Sequence, residues 1–421
     1  MIIIIFIIAL IIGVPVMSVL GLSTIIPMQI QNNLPHIMIP QALFSGLDQF
    51  VLVAVTGFIF AGMIMEKCGI TDGLLDFSRE AVGRLTGGYA ILTVVMSTFF
   101  AALTGAGPAC TAAVGGMTIP LMTKAGYKKD FAGGVAAAAG SLGIMIPPSN
   151  PMIVYALLAG VSVGDMFIAG ILPGLMIAFL LCVTCIIIAR KRNYVGTGEP
   201  FSFKKLLKVT WGAKWGILAP VMILGGIYGG FVTPTESAIV AIIYAIIVGI
   251  CNGKLKLSHV IDALKRTAIM SGSIMAIVGM STAFGRVLTV NRIPQTVGQA
   301  MLTLTNNPIV LQIMIILVMI FVGMWMEPIS SLVILVPIFM PLVRQLGINP
   351  INFGIILTLT TQIAFITPPV AANLYVASSL TGCTLEKISK QAIPFIGALV
   401  TALLFVVAFP QIATFLPSLM R

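Results

Sequence analysis

Apolar runs, each closed by a few charged residues, alternate along the whole chain. Runs 1–28, 50–65, 165–189, 215–231, 235–250, 268–290 and 393–416 are each close to the length an α-helix needs to cross a bilayer, about 20 residues. Four more runs are interrupted midway. Run 87–123 breaks at Thr104-Gly105-Ala106-Gly107-Pro108, and run 308–342 breaks at Met326-Glu327-Pro328-Ile329-Ser330-Ser331. The arms on either side of the first interruption, about 17 and 15 residues, fall at or below the lower limit for a full span. A helical hairpin that enters and leaves by the same face fits both runs. Runs 130–161 and 353–380 break instead at Pro147-Pro148-Ser149-Asn150-Pro151 and Thr367-Pro368-Pro369. Proline has no amide hydrogen and clashes with the preceding turn, so each should be a discontinuous helix.

Composition narrows the class. Apolar residues are 59% of the 421 positions and charged residues 8%, against roughly 25% charged in soluble domains. The expected fold is an all-α polytopic membrane protein. The net charge of +11 does not point to nucleic acid, because the basic residues sit in short loops between apolar runs. They follow the positive-inside rule. No basic residue precedes the first run and no small-residue cleavage site follows it, so it reads as an uncleaved span. Residues 29–49, with Asn32, Asn33 and His36, read as a loop or interfacial arm. Cys182 and Cys185 form a C-x-x-C inside an apolar run with no histidine nearby, which suits packing better than metal or redox chemistry.

Arg190 to Lys214 carries seven basic residues against Glu199, which places this loop on the cytoplasmic side. Counting outward from it, the hairpin 87–123 enters from inside and the hairpin 308–342 from outside. The halves also align. Gly62 and Ile70 match Gly285 and Ile293 at an offset of 223, while Pro120, Gly126 and Pro147-Pro148 match Pro341, Gly347 and Pro368-Pro369 at 221. The expected organisation is a first span and arm (1–44), a first repeat (45–190), a basic linker (191–214), two further helices (215–266) and a second repeat of opposite topology (267–421). Inverted repeats with broken helices are a common plan of secondary transporters.

A helix broken at mid-depth frees carbonyls that must line a cavity or hold an ion. A hard cation such as sodium takes oxygen ligands, and unwound backbone supplies them in such folds. In the first half the expected ligands are carbonyls at Gly143, Ile146 and Pro148, facing the Thr104 hydroxyl. Their counterparts are Ala364, Thr367 and Pro369, facing Gly323 to Glu327. Ser149, Asn150 and Asn373 follow the breaks and offer hydrogen bonds to a carboxylate substrate. Arg286 is costly inside an apolar run. It reads either as a bidentate carboxylate clamp or as an arginine reaching outward from near a helix end. Glu327 is open between sodium ligand, substrate contact and helix cap, and Glu236 in Thr233-Pro234-Thr235-Glu236-Ser237 reads as charge at a helix N-terminus.

The segments TGAGPACTAAVGG, SLGIMIPPSNPMIVYA, GGIYGGFVTPTESAIVAIIYA and ITPPVAANLYVASSL resemble the large membrane subunit of tripartite ATP-independent periplasmic (TRAP) transporters along the whole chain. The resemblance implies a sodium-coupled elevator-type importer of the bacterial inner membrane, carrying a small-molecule carboxylate. It implies two protein partners, a small four-helix membrane subunit on a separate chain and a periplasmic substrate-binding protein. It also implies sodium ligands at the hairpin-tip and Pro-Pro positions. Among members, the chain looks most like those for sialic acid; others carry C4-dicarboxylates. Two other classes fit less well. An intramembrane enzyme would need facing nucleophile, base or metal ligands, and neither HExxH nor GxSxG is present. A channel filter usually recurs around an oligomer axis, not as an inverted pair in one chain.

Overall fold

The computed structural model describes residues 1–31, 35, 37–198, 202–305 and 307–420. Asn32, Asn33, His36 and Glu199 lie outside the described residues. Among the described residues every regular element is helical.

The first half runs α1 (Ile2–Ile11), α2 (Val16–Gln31), α3 (Met38–Leu47), α4 (Val51–Lys67), α5 (Ile70–Val82), α6 (Gly88–Thr104), α7 (Gly107–Lys124), α8 (Lys129–Gly140), a 3-10 turn (Ser141–Ile144), α9 (Asn150–Ala159) and α10 (Val163–Arg192). The second runs α11 (Phe203–Gly212), α12 (Lys214–Tyr228), α13 (Pro234–Cys251), α14 (Leu257–Val290), α15 (Ile293–Leu304), α16 (Pro308–Gly323), α17 (Pro328–Gln345), α18 (Pro350–Ala364), α19 (Ala372–Thr381), α20 (Leu385–Ala408) and α21 (Gln411–Leu419). Five of the described helices, α10, α13, α14, α17 and α20, are long and apolar enough to cross a membrane; counting the bent pairs α3–α4 and α11–α12 as one span each gives seven.

Several elements differ from the hydropathy reading. The first span is two helices, because Gly13 takes a left-handed φ of +85° and Pro15 follows it. The arm 29–49 contains α3, bent 53° from α4. The basic linker contains α11, α14 begins eleven residues before the apolar run that announced it, and α15 follows it directly. The last span stops at Ala408 and resumes at Gln411, with Pro410 between. In each case the backbone turns or coils without a change in hydropathy that marks it.

Two half-helices lie at the centre. From Phe131 to Gly140, α8 is buried all round, and its run of glycines and alanines lets neighbours approach its backbone. Its counterpart α18 is buried from Ile351 to Ala364. Asn349 caps α18, accepting from the Ile351 N–H at 2.8 Å and the Asn352 N–H at 3.4 Å, with Pro350 in the first turn, where its missing N–H costs nothing. The large buried rings Tyr155, Phe131, Phe167, Phe353 and Phe395 fill the space around these two helices.

Candidate transport site

Both discontinuous helices are present, and each meets the tip of a helix pair. In the first half α6 ends on Gly105 with a left-handed φ of +60°, and α7 restarts at Gly107 with Pro108 in its first turn. This tip lies on the break between α8 and α9. The Asn150 N–H donates to the Gly105 carbonyl at 3.4 Å. The approach needs glycine: a Cβ on Gly105 would stand 2.7 Å from the Pro148 oxygen, and one on Gly143 would stand 2.6 Å from the Ala106 oxygen. In the second half the Val370 N–H donates to the Met324 carbonyl at 3.0 Å, and a Cβ on Gly323 would stand 2.9 Å from the Ala364 Cβ.

Thus the structure gathers Thr104, Gly143 and Pro148 around the first tip and Gly323, Ala364, Thr367 and Pro369 around the second. Ile146 is buried at the first break and packs toward Gly174 of α10. The Thr104 hydroxyl donates to Phe100 O at 3.3 Å and the Thr367 hydroxyl to Ile363 O at 2.7 Å. The two breaks are also joined. The Gln362 Nε2 donates at 3.0 Å to the Ser141 hydroxyl, a pair separated by 221 residues, the offset that aligns the halves. Both Pro147-Pro148 and Pro368-Pro369 carry cis peptide bonds.

The polar residues after the breaks take different roles. Ser149 is committed locally: its hydroxyl donates to Ile144 O at 2.6 Å and caps α9. Asn150 and Asn373 are buried, and the Oδ1 of each has no hydrogen-bond partner, as is true of the Gln362 Oε1. Asn373 Nδ2 donates to Ala137 O at 3.0 Å, while a Cβ on Gly107 would stand 3.1 Å from its Oδ1, so it reaches the first tip from the second half. Buried oxygens without partners are costly, about 1–3 kcal/mol each, unless a cation or donor meets them. Of the three roles open to Glu327, capping is visible: the carboxylate accepts from the Ser330 N–H at 3.4 Å and the Ser330 hydroxyl at 3.3 Å. Glu236 forms a capping box with Thr233, whose N–H donates to it at 2.7 Å.

Arg286 stands elsewhere. It lies four residues from the end of α14 and donates to the Ser45 hydroxyl of α3 at 3.2 Å. It faces a cavity of about 870 Å³ between α3 and α14 on one side and α9 and α17 on the other. Leu157 and Leu158 line that cavity, which puts Asn150, at the opposite end of α9, about 10 Å further along the helix. The break residues Ser149, Asn150 and Asn373 are therefore not brought to Arg286. Arg344, not foreseen, lines the same cavity and donates to Ala159 O at 2.9 Å. The signal that could have found it is its position as the first charged residue after the apolar run 308–342.

A bundle of apolar helices with two discontinuous members, each closed by the tip of a helix pair, defines a membrane transporter of the broken-helix kind. The chain belongs to the family described as the tripartite ATP-independent periplasmic transporter, DctM component, which it matches over residues 3–412. It is 37% identical over 433 residues to the C4-dicarboxylate TRAP transporter large permease protein DctM of Vibrio cholerae, covering 97% of this chain and 95% of the relative. It is 33% identical over 380 residues to the sialic acid TRAP transporter large permease protein SiaM of the same organism, covering 90% of this chain and 89% of that one. It is 38% identical over 407 residues to the isethionate TRAP transporter permease protein DctMQ of Oleidesulfovibrio alaskensis, covering 96% of this chain but 64% of that relative's length. These relatives are transporter permeases, not enzymes. The fold is shared with the YdaH transporter of Alcanivorax borkumensis (TM-score 0.65, 14% identity, 87% of each chain). It is shared also with MtrF of Neisseria gonorrhoeae (TM-score 0.62, 15% identity, 88% of this chain and 83% of that one).

Proposed function

We propose that this chain is the large membrane subunit of a sodium-coupled importer that moves an organic acid across the bacterial inner membrane. In this reading the two helix pairs are re-entrant hairpins of inverted repeats, and the body they form with the broken helices moves as an elevator. A periplasmic binding protein delivers the acid, and a small four-helix subunit completes the membrane part. The observation that carries the reading is the meeting of tip and break in both halves, at breaks 221 residues apart in the chain.

Sodium suits the chemistry of the tips. The groups around each break are carbonyls, hydroxyls and amide oxygens, hard donors of the kind a small cation takes, and two of the unpartnered Oδ1 atoms lie beside them. The N-termini of α9 and α19 point their positive dipole ends toward the same region, which favours an acid group there. Arg286 and Arg344 would attract the acid first, in the cavity on the face where α14 and α17 end. The named substrates of the relatives, C4-dicarboxylates, sialic acid and isethionate, share an anionic head, which supports an organic acid as the cargo; we take it to be of the sialic-acid or C4-dicarboxylate class.

Reconstitution tests the proposal. The chain, its small subunit and its binding protein are placed in proteoliposomes, and uptake of labelled sialic acid, succinate and isethionate is followed with and without an inward sodium gradient. At least one acid should accumulate only with the gradient. Uptake that ignores sodium would reject the coupling, and no uptake of any acid would reject the function.

A further inference from the structure

The basic linker, which the transport reading leaves unused, folds into a site of its own. We propose that the groove between α11 and α12 binds the headgroup of an anionic phospholipid of the inner leaflet. The proposal rests on the membrane reading and on the cytoplasmic placement of this linker by its charge. Ser202 caps α11, accepting from the Lys205 N–H at 3.3 Å. Phe203, Leu207 and Trp211, spaced by four, form one exposed apolar stripe. A 65° bend separates α11 from α12. If α12 crosses the membrane, α11 lies across its surface, as an interfacial helix does. Lys205, on the other side, pairs with Glu80 of α5 at 3.2 Å and holds α11 in place.

The groove encloses about 920 Å³. Lys204, Lys208 and Lys214 line it, and among the described residues no acidic side chain does. Lys214 is held over the rings of Trp211 and Trp215, at 4.5 and 5.0 Å from their centroids. Below these lysines the wall continues along α12 as the exposed Leu218 and Val221. A basic mouth over an apolar wall fits one kind of molecule at both ends, an amphiphile with an anionic head. A free phosphate would leave the apolar wall bare, and an apolar protein helix would leave three cations without a counter-charge.

The test uses the full chain, released from lipid and re-exposed to phosphatidylglycerol, cardiolipin or phosphatidylcholine, with bound lipid read by native mass spectrometry. The anionic lipids should be retained at least about fivefold over phosphatidylcholine, the scale expected for one lysine near a charged surface. The variant K204Q/K208Q/K214Q should lose that preference. The variant K256Q/K265Q/K387Q, which removes equal charge elsewhere, should keep it within about twofold. Circular dichroism checks that both variants fold. Equal retention of all three lipids would overturn the proposal, as would an equal loss in the second variant or displacement of lipid by millimolar inorganic phosphate. In a parallel co-purification with the small subunit, loss of that subunit from the first variant with lipid binding intact would reassign the groove to a protein contact and also overturn the proposal. The readout is lipid mass on the chain, so failure of sodium-driven uptake leaves it unaffected.

Discussion

The two helix breaks are built from the same parts and sit in unequal surroundings. From Ser141 to Asn150 the first break is buried throughout, whereas Pro369 and Val370 of the second stand on the surface of the chain with Trp325, Glu327 and Tyr375. The difference lies in what covers them. Over the first tip, α4 packs so closely that a Cβ on Gly62 would stand 2.8 Å from the Leu103 oxygen and 3.1 Å from the Thr104 Cα. Its repeat partner Gly285 faces only Pro337, at 3.6 Å, an ordinary contact. A sequence repeat thus fixes the local device, while long-range packing decides whether it is closed or open. In the proposed transport cycle, this inequality in cover is what would let the two halves open in turn.

The sharpest way to break this contrast is at the tips. Gly143→Ala sets a methyl against a backbone oxygen that has no room to yield, and uptake should fall about 100-fold, equivalent to the upper range of overpacking costs. Gly323→Ala meets only a side-chain methyl, so its loss should be nearer 10-fold. Initial uptake rates corrected for membrane expression would measure both, and a larger loss at Gly323 would reverse the ranking. Next comes the cover: Gly62→Ala should reduce uptake about 10-fold while Gly285→Ala stays within about twofold, since only the first forces α4 away from a backbone. Equal effects at Gly62 and Gly285 would show that packing over the first tip is not what distinguishes the halves. The smallest effect is expected where the breaks touch. A double-mutant cycle on Ser141→Ala and Gln362→Ala, read from denaturation of the purified chain, should give a coupling of about 1 kcal/mol, the net worth of one hydrogen bond. No coupling would mean that the two breaks are energetically independent.

How much of this was legible in the sequence follows from which signals are local. Proline pairs and glycine-rich tips announce themselves, so the two broken helices are found where Pro147-Pro148 and Pro368-Pro369 interrupt runs 130–161 and 353–380. The pairing of Ser141 with Gln362 was implicit in the 221-residue offset. The short helices α3, α11 and α15 were not legible, because hydropathy at bilayer scale reads long apolar runs and treats amphipathic segments of ten to twelve residues as loops. The partition of the polar residues was also hidden. Ser149, Asn150 and Arg286 all looked available to a carboxylate, but the structure spends Ser149 on a cap and sets Arg286, hydrogen-bonded to Ser45, beside the cavity that Arg344 also lines. Likewise, the matched Gly62 and Gly285 concealed that one supports a close approach and the other does not.

The central claim is that both tips hold sodium, and the dependence of initial uptake on external sodium tests it most directly. Two coupled sites predict a sigmoidal curve with a Hill coefficient above about 1 and no greater than about 2, falling toward about 1 in Gly323→Ala. A hyperbolic curve in the unaltered protein, or uptake that persists when choline replaces sodium, would contradict it.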